Sequence, residues 1–188
     1  MKNPLFVVIE GMDGVGKTTI AKLLAEQLNA TSYKIPPPEL NSIRHNIDNS
    51  NKYTRFFYYL STTYYASENI QSIIKSGKSV VCDRYYQTTL SAYDDEVINL
   101  VNSEQIIDKL YKPNFCFLLT VSEEERLKRL KKRGYLSKDD IETIDNKVLR
   151  DAQMFKYHQM KMIQIDTTKK SEEDVINEIF RIMNFQKL

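Results

Sequence analysis

Gly11-Met-Asp-Gly-Val-Gly-Lys-Thr18 fits the spacing G-x-x-x-x-G-K-[ST] without a gap, and it stands between the apolar run Leu5-Phe-Val-Val-Ile9 and a helical pattern. Such a stretch turns successive backbone N–H groups toward one point and builds a cradle for phosphate. Gly11, Met12, Asp13, Gly14, Val15, Gly16, Lys17, Thr18 and Thr19 form the candidate donor-binding loop. Lys17 brings positive charge to the β/γ-phosphates, and the Thr18 hydroxyl can ligand Mg²⁺. The helix that follows starts at the anion, where its unpaired N–H groups already favour negative charge. The bland alternative is a glycine turn between a core strand and a helix. Ile20, Leu23, Leu24 and Leu28 at helical spacing on one side, and a strand on the other, count against it.

The rest of the chain alternates in the way such a loop requires. Strand candidates are Leu5–Glu10, Ser32–Ile35, Ser79–Asp83, Phe115–Val121 and Met162–Ile165, with enough chain between them for helical crossovers. Helical patterns cover Thr18–Leu28, Glu39–Asn46, Tyr53–Lys75, Ser103–Leu110, Ser122–Arg133, Asn146–Gln159 and Ser171–Phe185. This predicts an α/β chain with a parallel sheet covered on both faces. Ser122 with Glu125 forms a capping box, and Ser171 with Asp174 a weaker version of one. Pro36-Pro-Pro38 forms a stiff extended segment after the second strand. Polar Gly134–Asp145 reads as a loop between helices, either a mobile lid or an ordinary surface connection.

A length of 188 residues fits one domain, 1–188, with the lid at about 134–145. Lys+Arg 27 against Asp+Glu 25 leaves a formal charge of +2, too balanced for a surface built to bind nucleic acid. The five apolar residues before Glu10 are too few for a signal-peptide core, and no stretch approaches a membrane span, so a cytoplasmic location is expected. Cys82 and Cys116 end apolar strand candidates and read as buried thiols rather than as a disulfide or metal pair.

Phosphoryl transfer needs cations that neutralise the transferred group more than it needs a strong base. Asp83 and Arg84 lie at the carboxyl end of the strand Val80-Val-Cys-Asp83, the edge of a parallel sheet where ligands bind. Asp83 suits an Mg²⁺-bound water and Arg84 a bidentate grip on an acceptor phosphate, against the simpler possibility of a strand-end ion pair. Arg126, Arg129 and Arg133 recur on one helix face, with Leu127 and Leu130 directed to the core. Arg129 and Arg133 are the candidates for reaching donor phosphates; a solvated basic face paired with Glu123 and Glu124 competes with that role.

Glu10-Gly-Met-Asp-Gly-Val-Gly-Lys-Thr-Thr19 resembles the E-G-x-D-G-x-G-K-[ST]-T of the thymidylate kinase family of nucleoside monophosphate kinases, and Asp83-Arg-Tyr85 resembles its D-R-[YFH]. The resemblance implies a three-layer P-loop NTPase fold with a five-stranded parallel sheet, helices on both faces and a short lid. It also implies ATP as phosphoryl donor, Mg²⁺, a pyrimidine nucleoside monophosphate as acceptor, and a homodimer built on long helices. By that resemblance Asp13 contacts the sugar 3′-hydroxyl, Tyr58 stacks on the acceptor base and Arg84 binds the monophosphate. Lys34, Tyr85 and Thr88 complete the candidate acceptor site.

The chain also departs from the family pattern. Thr62 stands where the family has a base-reading arginine, Asp140 where its lid has a phosphate-binding arginine, and Gly14 where another subtype carries a compensating one. Pro37-Pro38, Ala66-Ser-Glu68, Asp83-Arg-Tyr-Tyr86 and the stretch from Leu118 to Leu130 resemble the mitochondrial-type UMP/CMP kinase subgroup more closely. The implied acceptors are therefore dTMP, dUMP, dCMP or UMP. Two other classes compete: a degenerate sensor that binds nucleotide without turnover, and a deoxynucleoside kinase using Glu10 as base. A GTPase is disfavoured, because no N-K-x-D or T-K-x-D signature is present and no D-x-x-G follows the third strand.

Overall fold

The structure, a computed structural model, describes residues 3–101, 103–136 and 138–185. Its elements alternate as β1 (Phe6–Glu10), α1 (Lys17–Leu28), β2 (Thr31–Lys34), a 3₁₀ segment (Pro38–Ile43), α2 (Arg44–Asp48), α3 (Lys52–Lys75), β3 (Val80–Asp83), α4 (Tyr86–Ala92) and α5 (Asp95–Ile98). There follow α6 (Ser103–Lys109), β4 (Phe115–Thr120), α7 (Glu123–Arg133), α8 (Lys138–Asp145), α9 (Lys147–Gln159), β5 (Ile163–Asp166) and α10 (Glu172–Phe185). The five strands form one sheet in the order β2-β3-β1-β4-β5, and every pairing is parallel. The α/β architecture and the five-stranded parallel sheet implied by the sequence are thus observed.

The period-two alternation of β1 builds both halves of the core. Val7 and Ile9 face Ile20 and Leu24 of α1 and Val175 and Ile179 of α10. Phe6 and Val8 face Ala66, Ile70 and Ile74 of α3. Because β1 is covered on both faces, all five of its residues are buried, which is why it reads as a continuous apolar run. Register then aligns the functional ends. Ile9 and Lys34 both lie opposite Asp83, and Glu10 lies opposite Leu118, so Lys34, Asp83 and Glu10 share one edge of the sheet.

Helix ends follow from local chemistry. The Asn51 side chain accepts from the N–H of Thr54 at 2.9 Å to start α3, and Ser122 accepts from the N–H of Glu125 at 3.4 Å to start α7. Ser171 and Asp174 bond reciprocally, at 3.1 Å and 3.0 Å, so the weaker capping box expected there is a complete one.

Three expectations need correction. Glu39–Asn46 is a 3₁₀ segment followed by the short α2, because Pro38 admits only an N-terminal start. Gly134–Asp145 is largely helical rather than a loop: α8 buries Asp140 and Thr143 and exposes Ile141, the inverse of the apolar pattern that marks a helix in sequence. Leu130 of α7 is buried as expected, and it packs against the phosphate loop beside Arg126. Finally, α4 and α5 occupy a stretch that showed no helical pattern.

Candidate active site

The loop between β1 and α1 takes its shape from its glycines. Gly11 has φ +139°, and a Cβ there would lie 2.4 Å from the Leu119 carbonyl oxygen. Gly14 has φ +90°, and a Cβ there would lie 2.9 Å from Arg126 Cγ and 3.0 Å from Leu130 Cγ. No side chain fits either place. Lys17 is buried and turns back over the loop, donating from Nζ to the Met12 carbonyl at 2.7 Å and to Asp13 Oδ1 at 3.3 Å. Burial, then the nearby Arg84 charge, lowers the pKa of this ammonium, against the pull of Asp13, Asp83 and Glu10. Met12 and Val15 anchor the loop in the core, while Thr18 and Thr19 are exposed at the start of α1.

Thr18 Oγ1 donates to Asp83 Oδ2 at 2.6 Å, and Lys34 Nζ lies 3.8 Å from the same oxygen. Asp83 Oδ1 is buried and has no hydrogen-bond partner among the described residues. A hydroxyl and a carboxylate oxygen with spare acceptor capacity, side by side at the loop, fit a hydrated Mg²⁺ that keeps several waters and takes its other ligands from phosphate. Among the described residues no group of three or more His, Cys, Asp or Glu side chains is placed to hold a metal.

Arg84 follows directly, with φ 75° in the left-handed region. Its guanidinium bonds Asp13 Oδ1 through Nη2 and lies 3.4 Å from Thr88 Oγ1 through Nη1. Burial alone would raise the pKa of Asp13, but the charges of Arg84 and Lys17 hold its carboxyl well below the ordinary range. Asp13, Lys17, Arg84 and Thr88 are therefore brought together. Tyr85 is not: its ring is fully buried, edge-on to Phe6 and Tyr86, and its hydroxyl donates to the Tyr111 carbonyl at 3.0 Å. Packing beneath the sheet edge keeps that ring out of any acceptor pocket. Tyr58 is 9 % exposed, and its hydroxyl donates to the Leu40 carbonyl at 2.7 Å, which ties α3 to the 3₁₀ segment.

The three arginines of α7 divide the work. Arg126 is buried, pairs with Glu123 at 2.7 Å, and donates to the Asp13 carbonyl and to Thr143 of α8. Arg129 donates to the Val15 carbonyl at 3.2 Å and to the Thr167 carbonyl at 2.8 Å. Arg133 pairs with buried Asp140 and lies 4.5 Å from the centroid of the Tyr135 ring. The α8 carboxylate thus holds the last arginine of α7, which lines the cleft. Asp139 of α8 has its side chain outside the described residues.

Lys17, Thr18, Lys34, Arg84, Arg129 and Arg133 all line one cleft of about 830 Å³. Within it the donor loop lies between Lys34 and Arg84 and the basic residues of α7. Tyr135 and Thr167 share this lining and escaped the sequence pattern; Thr167 donates to the Val15 carbonyl at 3.3 Å from a strand end far along the chain. Glu10, considered above as a base, is fully buried with both oxygens accepting hydrogen bonds, so no lone pair faces the cleft. Among the described residues no helix is long and apolar enough to cross a membrane.

A phosphate cradle at the end of a parallel sheet, with an acidic–basic pair at the neighbouring strand end, defines a P-loop nucleotide-binding site. Residues 9–179 match the family model described as "Thymidylate kinase". The chain is 32% identical over 193 residues to a probable thymidylate kinase of Methanocaldococcus jannaschii, covering 95% of both chains. It is 31% identical over 157 residues to a thymidylate kinase of Coprothermobacter proteolyticus, covering 73% of this chain and 76% of that one. Among solved structures, thymidylate kinase from Candida albicans superposes with a TM-score of 0.77 at 19% identity, covering 98% of this chain and 93% of that one. The chain belongs to the thymidylate kinase family, and it is an ATP-dependent nucleoside monophosphate kinase.

Proposed function

We propose that this kinase transfers the γ-phosphoryl of ATP to dTMP in a single catalytic domain, acting as a cytoplasmic homodimer. The observation that carries the proposal is the shared cleft, in which the loop that takes the donor and the Arg84–Asp13 pair that would take the acceptor lie side by side. The loop amides and Lys17 hold the donor phosphates, for which Lys17 leaves Met12 and Asp13. Arg84, with Lys34, grips the acceptor monophosphate, and Asp13 takes the sugar hydroxyl once its bond to Arg84 is exchanged. Thr18 and Asp83 would hold Mg²⁺, which when bound neutralises charge on the β- and γ-phosphates. Arg129 braces the loop at Val15, while Arg133 reaches the phosphates as α8 moves over the cleft as a lid. Excluding water at that moment favours transfer over hydrolysis.

Tyr53, Phe57 and Tyr65 expose aromatic surface along α3, with Phe57 at 47%, and this face supports the homodimer. Light scattering on Phe57→Glu tests it, with a shift from dimer to monomer expected. For the activity, ADP formation is measured with ATP, Mg²⁺ and dTMP beside dUMP, dCMP, UMP and a no-acceptor control. Turnover that depends on dTMP supports the proposal, and faster turnover on another pyrimidine reassigns the base. ATP binding without turnover on any acceptor points to the sensor alternative.

A further inference from the structure

Glu10 ends β1 at the root of the cleft and is fully buried, although it touches none of the phosphate-binding loop's amides. Its Oε1 accepts from the N–H of Tyr85 at 2.7 Å and from the N–H of Thr88 at 3.2 Å. Its Oε2 accepts from Thr88 Oγ1 at 2.6 Å and from the Tyr157 hydroxyl at 3.4 Å. All four partners donate, so the group acts as an ionised carboxylate that caps the N-terminus of α4 from a distant strand.

The residue immediately before the capped N–H is Arg84. Its backbone sits at φ 75°, which a side-chain-bearing residue holds only when its surroundings enforce it. The enforcement is visible on both sides. The N–H of Arg84 donates to the Ile9 carbonyl at 3.0 Å, one residue before Glu10, and the next N–H is taken by Glu10 itself. Thr88, whose hydroxyl donates to Glu10, also stands 3.4 Å from Arg84 Nη1. The carboxylate therefore fixes both the backbone that launches the guanidinium and a hydroxyl that aims it.

We propose that Glu10 is a positioning residue for the acceptor phosphate, acting through Tyr85 N–H and Thr88 to hold Arg84 in its grip geometry. This rests on the proposed placement of the acceptor at Arg84. Burial pushes the pKa of the Glu10 carboxyl up, against the hydrogen bonds from Thr88 and Tyr85 and the charges of Arg84 and Lys17.

The test is Glu10→Gln, which conserves shape but replaces one acceptor oxygen by a donor, so that Thr88 Oγ1 must turn to accept. Wild-type turnover on dTMP is measured alongside and by itself decides the proposed function. The expected result is a KM for dTMP raised about tenfold, an ATP dissociation constant within about threefold of wild type, and an unchanged or higher Tm. Thr88→Val serves as the second variant, with the same split expected and the Glu10 carboxylate retained. An unchanged KM for dTMP in both variants would overturn the proposal, and so would losses of dTMP affinity, ATP affinity and Tm that rise together, since these mark a residue that merely supports the fold. If Glu10→Gln does not fold, Glu10→Asp, which keeps the carboxylate but shortens its reach to Tyr85 N–H and Thr88, is measured on the same criteria.

Discussion

Thr18 Oγ1 and Asp83 Oδ2 are 2.6 Å apart, although the two residues belong to different elements 65 positions apart in the chain. The parallel register of β1 and β3 makes this meeting possible, since it sets Ile9 beside Asp83 and leaves the loop directly above the strand end. Asp83→Asn keeps the shape and removes the charge. It should lower kcat by about a hundredfold, roughly 3 kcal/mol of transition-state stabilisation, and raise the Mg²⁺ concentration needed for half-maximal rate. Steady-state kinetics across a Mg²⁺ titration check both; a normal rate with a normal Mg²⁺ requirement would remove Asp83 from the metal site.

The Asp13–Arg84 pair gives a pH signature. Asp13 titrates below its ordinary value of 3.8 in the folded protein, so its contribution to stability is fully present above about pH 4. That contribution is lost as pH falls from there toward the folded pKa. Asp13→Asn should cost on the order of 1–2 kcal/mol at neutral pH and flatten the acid limb of stability against pH. Urea denaturation of both proteins from about pH 2 to about pH 6, which reaches below the unfolded carboxylate pKa, is the measurement. Parallel acid limbs would contradict the assignment.

Glycines of one loop should not be equivalent. At Gly16, with φ +101°, an added Cβ meets only the end of Arg129, 4.0 Å away, whereas at Gly11 it meets the Leu119 carbonyl oxygen at 2.4 Å. Gly16→Ala should cost about 1–2 kcal/mol from backbone strain. Gly11→Ala adds a collision with backbone that cannot turn aside, and should cost about 3 kcal/mol or more. Thermal denaturation of the two variants orders them; equal losses would contradict the packing described for the loop.

How much of this was readable in the sequence depends on where each signal is stored. The strands β1, β3 and β4 showed because the sheet is covered on both faces there, which writes them as apolar runs, whereas the half-exposed β2 and β5 carry a weaker pattern. Lys17, Thr18, Asp83 and Arg84 showed because their spacing is local and because they stand at strand ends. The helix α8 was hidden because its buried side chains are Asp140 and Thr143, which are satisfied by arginines of α7. Arg126 looked like part of a solvated basic face, yet its guanidinium is buried against Glu123, Asp13 and Thr143. Glu10 capping α4 was out of reach for a different reason: donor and acceptor are 78 residues apart, and no local pattern encodes that pairing.

The central claim is that Lys17 and the loop drive transfer of the γ-phosphoryl to an acceptor monophosphate. The most direct measurement is ATP- and Mg²⁺-dependent ADP formation with and without dTMP, for wild type and Lys17→Ala. Turnover should require dTMP and fall by on the order of a hundredfold or more in the variant, with the fold intact by circular dichroism. A folded Lys17→Ala protein with near-normal dTMP-dependent turnover would contradict the account.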